Sequence, residues 1–249
     1  MFVLVNNLKI NYEEIGNGEP LILLHGWKND LMVWNSITLT LGSYRVIAID
    51  LPGFGKSDFP SRPWAVKDYA EFLKAFLDKI EISKTNLIGH SFGGRVAIKF
   101  SVLFPEKVSK LVLIDSGGIR LKSVKKILAL ILAKLGKIFW QLPFLRKKIN
   151  VVRRSFYKAL QVGDYLENNS VMKDTFLKII EEDLREEAKK IKIPTLIVWG
   201  EKDLITILKE AEILNKCISD SRLGIVKNSG HWPFIEKKEE FIKILKNFL

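Results

Sequence analysis

A mostly parallel β-sheet wrapped by helices is the fold class that this 249-residue sequence predicts, and three observations predict it. Continuous apolar runs such as Pro20 to Leu24 and Pro194 to Trp199 read as strands buried on both faces. Stretches with apolar residues at three- and four-residue spacing lie between such runs and read as amphipathic helices. Strand and helix then alternate along both ends of the chain, which is the order that places helices on the two faces of one sheet.

In chain order, Phe2 to Val5 and Leu8 to Glu14 read as an antiparallel pair, closed by the turn Gly16-Asn17-Gly18. The run Pro20 to Leu24 ends at His25-Gly26, a helical stretch begins near Asp30, and Arg45 to Ile49 is the next strand. From Val66 to Ile80, Tyr69, Phe72, Leu73, Phe76, Leu77 and Ile80 share one helix face. A strand at Asn86 to Ile88, a helix from Phe92 to Phe104 and a strand at Lys110 to Ile114 follow. After Gly117-Gly118 the rhythm breaks, and the chain reads as helix to about Lys190, interrupted at Pro143. It resumes with Pro194 to Trp199, a helix near Ile207 to Cys217, a strand at Leu223 to Val226 and a last helix near Lys237 to Leu249. Residues 1–117 and 191–249 therefore form the expected core domain, and 118–190 a helical insertion where a lid would sit.

The composition, 47% hydrophobic and 27% charged, is that of a globular protein with a sizeable core. Met1 to Asn11 lacks the basic start and apolar core of a secretory signal. The longest unbroken apolar run, Ile127 to Ala133, is far short of the roughly 20 residues of a membrane span. The single Cys217 forms no internal disulfide and is no metal cluster, so a cytoplasmic protein is the default expectation.

The net charge of +12 is concentrated. Between Ser116 and Gly163 there are twelve Lys and Arg and no Asp or Glu, so the rest of the chain is balanced.

Gly89-His90-Ser91-Phe92-Gly93 fits Gly-x-Ser-x-Gly between an expected strand and an expected helix. A tight strand-to-helix turn strains the serine backbone, excludes bulk two residues to either side, and lifts the hydroxyl to the carboxyl edge of the sheet. The helix N-terminus behind it favours developing negative charge. Serine needs a base, and among His25, His90 and His231 the last lies in Ser229-Gly230-His231-Trp232, after the last strand, where it can reach back over the sheet. The base needs a carboxylate, offered by Asp203 just after the strand ending at Trp199-Gly200. Asp115, at the end of the Lys110 to Ile114 strand, is the rival acid. Asp50, Gly53 and Gly55 read as structural, a strand end and a tight loop, with no phosphate-binding pattern around them.

Five motifs in this order, His25-Gly26-Trp27, Asp50 to Ser57, the elbow at Ser91, Gly200 to Asp203 and Gly230-His231, resemble the α/β-hydrolase family over essentially the whole chain. The resemblance implies a mostly parallel eight-stranded sheet with an inserted helical cap. It implies a Ser91–His231–Asp203 triad, with the backbone N–H groups of Trp27 and Phe92 as the oxyanion hole. The chain departs from the pattern in having Leu204-Ile205-Thr206 where relatives often have a proline after the acid. Serine at position 91 argues against relatives that form an alkyl-enzyme ester.

The implied reaction is ester hydrolysis through an acyl-enzyme on Ser91, without metal or organic cofactor. Carbon–carbon bond and thioester hydrolysis are the alternatives, with a slow-turnover binding protein of the same fold as a third. The expected partner is a small-molecule ester substrate. The basic insertion, with Leu128, Ile131, Leu132 and Leu135 at helical spacing, reads as a solvated face over an apolar pocket, as a dock for an acidic carrier protein or substrate, or as a contact with anionic lipid. No nucleic-acid-binding module is recognisable, so no nucleic acid partner is expected.

Overall fold

The computed structural model of the chain describes residues 1–121 and 169–249. Eight strands build one sheet: β1 Phe2–Val5, β2 Leu8–Ile15, β3 Glu19–Leu24, β4 Tyr44–Ile49, β5 Thr85–His90, β6 Val108–Ile114, β7 Thr195–Gly200 and β8 Ser221–Val226. Their spatial order is β1-β2-β4-β3-β5-β6-β7-β8. The first two pairings, β1 with β2 and β2 with β4, are antiparallel and every other pairing is parallel. The mostly parallel eight-stranded sheet expected from the sequence is the one observed.

The longer helices are α1 Val66–Lys79, α2 Phe92–Leu103, α3 Ser170–Glu181, α4 Leu208–Cys217 and α5 Lys238–Lys246. Alternation along each parallel strand divides the core into two layers. Ile22 and Leu24 of β3, Ile47 and Ile49 of β4, and Ile197 and Trp199 of β7 pack on the side of α1, α2 and α4. Their neighbours Leu21, Leu23, Val46, Ala48, Leu196 and Val198 pack on the opposite side, with Trp34, Phe234, Phe241 and Leu245. All six residues of β5 and of β7 are buried, and in β7 this underlies the continuous apolar run read from the sequence.

One expected helix comes out differently. The stretch after Asp30 is a 3₁₀ turn at Leu31–Trp34, one α turn at Asn35–Thr38 and a second 3₁₀ turn at Leu39–Leu41. Its β-branched residues, Val33, Ile37, Thr38 and Thr40, are poor helix formers, and Gly42 ends it. The last helix, Lys238–Lys246, lies where the sequence places it, and Lys237 (φ −138°) separates it from a turn at Pro233–Glu236.

Of the expected insertion, residues 122–168 lie outside the described residues, and with them eleven of the twelve basic side chains between Ser116 and Gly163, Arg120 excepted. Its end is described. Asn169 caps α3 by accepting from Met172 N at 3.1 Å, and a single turn, Arg185–Ala188, leads back to β7. Among the described residues no helix is long and apolar enough to cross a membrane.

Candidate active site

β5 runs directly into α2, and Ser91 is the one residue between them. Its backbone sits at φ 51°, ψ −109°, a conformation that costs a non-glycine residue of order 1–3 kcal/mol. The surroundings over-determine it. Ser91 N donates to Ile114 O at 3.0 Å, and the Ser91 carbonyl accepts from Gly94 N at 3.1 Å and Gly117 N at 3.0 Å. A Cβ on Gly89 would strike the Gly93 carbonyl, and one on Gly93 would strike the Leu24 carbonyl. The two glycines of the pentapeptide are therefore required by close backbone approach.

Gly93 N donates to His25 O at 3.1 Å, which ties the elbow to the His25-Gly26-Trp27 loop. Among the described residues no hydrogen bond engages the backbone N–H of Trp27 or of Phe92. Phe92 begins α2, so its N–H belongs to the positive end of that helix.

His231 follows β8 and is buried, and its Nδ1 meets Asp203 Oδ2 at 2.7 Å. The loop that carries it is held at three points. Glu236 accepts from Gly230 N at 2.7 Å through one carboxylate oxygen and from Trp232 N at 3.1 Å through the other. His90 Nε2 donates to the carbonyl of His231 at 2.8 Å. The residue beside the serine thereby anchors the main chain of the histidine. No hydrogen bond joins Ser91 Oγ to His231 among the described residues, and contacts of this kind tighten when substrate is bound.

Asp203 accepts from Ile205 N at 2.7 Å and Thr206 N at 3.1 Å on Oδ1, and from Thr206 Oγ1 at 2.6 Å on Oδ2. The loop is fixed by the acid's own carboxylate, so the missing proline leaves the turn intact. Burial would push the Asp203 carboxyl up, but bonds from the His231 imidazole and the Thr206 hydroxyl to its charged form hold it below the ordinary value. The rival Asp115 is fully buried with a left-handed backbone (φ 40°), and its Oδ1 accepts from Gly200 N at 2.9 Å. Of the two acids, Asp203 is the one bonded to the imidazole.

Asp115, Asp203 and His231 are also the one set among the described residues whose acidic and imidazole atoms could share a cation, lying within 4.8 Å of one another. The donors already on Asp203, together with its short bond to Nδ1, favour a hydrogen-bonded relay over a ligand set.

The other two histidines are structural. His25 Nδ1 lies 2.7 Å from Gly26 O, and its Nε2 accepts from Leu51 N at 3.0 Å, which fixes a neutral ring protonated on Nδ1. Burial lowers His25, and burial followed by the nearby His231 puts His90 well below the usual histidine range. Asp50 accepts from Leu31 N, Lys56 N and Asn11 Nδ2, at 2.7 to 2.8 Å, in keeping with its structural reading.

The wall beside the elbow is aromatic. The Trp27 ring meets Phe54 at 4.8 Å, Phe92 at 5.3 Å and Phe176 of α3 at 5.1 Å, and Tyr69 meets Phe92 edge-on at 4.9 Å. Thr206, Glu236 and the anchoring role of His90 were not evident from the sequence. An acidic residue in the first turn after Pro233 was the one available signal for Glu236.

The family description "alpha/beta hydrolase fold" matches residues 19–238. The AB hydrolase superfamily protein YisY of Bacillus subtilis is 32% identical, over 95% of this chain and 93% of its own length. The 2-hydroxy-6-oxo-6-phenylhexa-2,4-dienoate hydrolase of Comamonas testosteroni is 28% identical, over 98% and 92%. Among solved structures, a membrane phospholipase A described as a bacterial virulence factor superposes with a TM-score of 0.79 at 27% identity, over 100% of this chain and 84% of that one.

Proposed function

Since the chain belongs to the alpha/beta hydrolase fold family, we propose that it is a serine hydrolase that cleaves a carboxylic ester through an acyl-enzyme on Ser91. The observation that carries this reading is the 2.7 Å bond from His231 to Asp203, on a loop anchored by the neighbour of a strained Ser91. In the first step Ser91 Oγ attacks the ester carbonyl and His231 takes its proton. The resulting imidazolium is stabilised by Asp203. The tetrahedral oxyanion accepts from the N–H groups of Trp27 and Phe92, and losing one such donor typically costs about 2.7–4 kcal/mol. His231 then protonates the departing alcohol, and water activated by the same imidazole cleaves the acyl-enzyme. Each step uses only groups of this chain and water.

Hydrolysis of p-nitrophenyl acetate, butyrate and octanoate, with wild type and Ser91→Ala side by side, tests the proposal. Turnover in the wild type that falls by about 10⁶-fold in the variant supports it. Equal rates in the two proteins sink it.

A second reading has one specific support: the Comamonas testosteroni relative is by name a hydrolase of a 2-hydroxy-6-oxo dienoate, a substrate cut at a carbon–carbon bond. Turnover of such a dienoate with no turnover of the esters would decide for it. The basic segment is proposed to receive an anionic partner, a carrier protein or a lipid surface, in a cytoplasmic setting. If rates on an acidic and on a neutral ester respond identically to added salt, that part fails.

A further inference from the structure

Asp115 poses a question that the triad leaves open. It is a fully buried carboxyl at the end of β6, and only one of its oxygens is satisfied. Among the described residues Oδ2 has no hydrogen-bond partner. The Thr206 hydroxyl has one proton and two acceptors, the Asp115 carbonyl at 3.0 Å and Asp203 Oδ2 at 2.6 Å, and the shorter contact takes it. An unsatisfied buried carboxylate oxygen is costly, and two bare carboxylates this close would repel. A single proton on Asp115 removes both penalties, because the acid then becomes the donor and Asp203 the acceptor.

We propose that Asp115 is a positioning residue that holds the triad acid through a carboxyl proton shared with Asp203. The inference rests on the triad reading of Asp203 and His231. The groups that face Asp115 are the Gly200 N–H and Asp203 at the end of β7, and His231 and Glu236 from the loop after β8. Among the described residues no lysine or arginine is hydrogen-bonded or ion-paired to the Asp115 carboxyl. Burial, followed by the proximity of Asp203, raises the Asp115 carboxyl well above the ordinary range, which agrees with the geometry.

The consequence is a charge count. The two acids together carry one negative charge, which matches the single positive charge that His231 acquires when it takes the serine proton. Asp115 also stands in a left-handed conformation that asparagine tolerates better than most residues, so Asp115→Asn keeps the backbone, the acceptor for Gly200 N and a donor toward Asp203. Alanine keeps neither side-chain contact.

Two measurements test this. Difference infrared spectroscopy of the unliganded protein, wild type minus Asp115→Asn at neutral pH, should contain the carbonyl stretch of a protonated carboxylic acid. A difference spectrum with only carboxylate bands overturns the proposal, whatever the activity of the protein. In kinetics, Asp115→Ala should lower kcat by about ten- to a hundredfold, with Asp115→Asn recovering most of that loss. The wild type should also lose activity at high pH, as Asp115 ionises against Asp203, in a limb that Asp115→Asn lacks. A loss in Asp115→Asn as large as in Asp203→Asn would make Asp115 a charged acid and overturn the proposal. So would variants that match the wild type in both rate and pH profile. The infrared readout needs no turnover, so a failure of the esterase reading remains distinguishable from a failure here.

Discussion

The two sides of the site are built by different forces. On the side of β6, β7 and β8, nearly every polar atom of Asp203, the His231 loop and Glu236 is spoken for by a hydrogen bond between 2.6 and 3.1 Å. On the side of β3 and α2, Trp27, Phe54, Phe92 and Phe176 meet mainly edge-on or tilted, with no polar link between them. Hydrogen bonds are directional and fix one arrangement, whereas aromatic packing fixes a volume and tolerates several arrangements. The polar side is therefore expected to govern rate, and the aromatic side to govern which acyl group is accepted.

Three substitutions sharpen that division. Asp203→Asn removes the charge that selects the His231 tautomer, and kcat should fall by about 10⁴-fold with KM little changed. Steady-state kinetics on one ester would check it, and a change confined to KM would break the division. Glu236→Ala frees the N–H groups of Gly230 and Trp232. Because displacement of a catalytic group by an ångström costs up to about a hundredfold, a ten- to hundredfold loss in kcat is expected. On the aromatic side, Phe176→Ala opens space beside Trp27. It should shift kcat/KM from butyrate toward octanoate by about tenfold, in line with the roughly 1–3 kcal/mol that a methylene contributes in an apolar pocket. A uniform fall over all chain lengths would mean that Phe176 does more than shape the pocket.

The smallest effect lies away from both sides. Burial, partly offset by Arg95, raises Glu210 to about 7. The folded state then binds more protons at this site than the unfolded state between the two carboxyl values, so stability falls as pH rises through that window. Glu210→Gln should therefore raise Tm at pH 8 by about 2–4 °C per kcal/mol recovered, and leave it unchanged at pH 4. Thermal melts at the two pH values would check it.

The division also explains what could be read from the chain alone. The parallel strands were legible because burial on both faces leaves continuous apolar runs, as in β3 and β7. Ser91, Asp203 and His231 were legible because each follows a strand end within a recognisable local pattern. Thr206 and Glu236 were not, since each acts on backbone N–H groups or on a neighbouring carboxylate, and such partners leave no mark in residue type. Asp115 was read as a competitor of Asp203 because it too follows a strand end, the one at Ile114. Their proximity makes sense only when one is neutral, and sequence does not report protonation. The stretch after Asp30 was read as helical without weighing its four β-branched residues, which break it into single turns.

The fixed ring of His25 has an experimental consequence. The chain contains three imidazoles. His25 has both nitrogens committed to the main chain, and His90 is buried with Nε2 committed to a carbonyl. Any imidazole that gains a proton during turnover is then His231. A sample carrying isotope label in histidine alone would report the catalytic proton as one changing signal against two constant internal references, without mutagenesis to tell them apart.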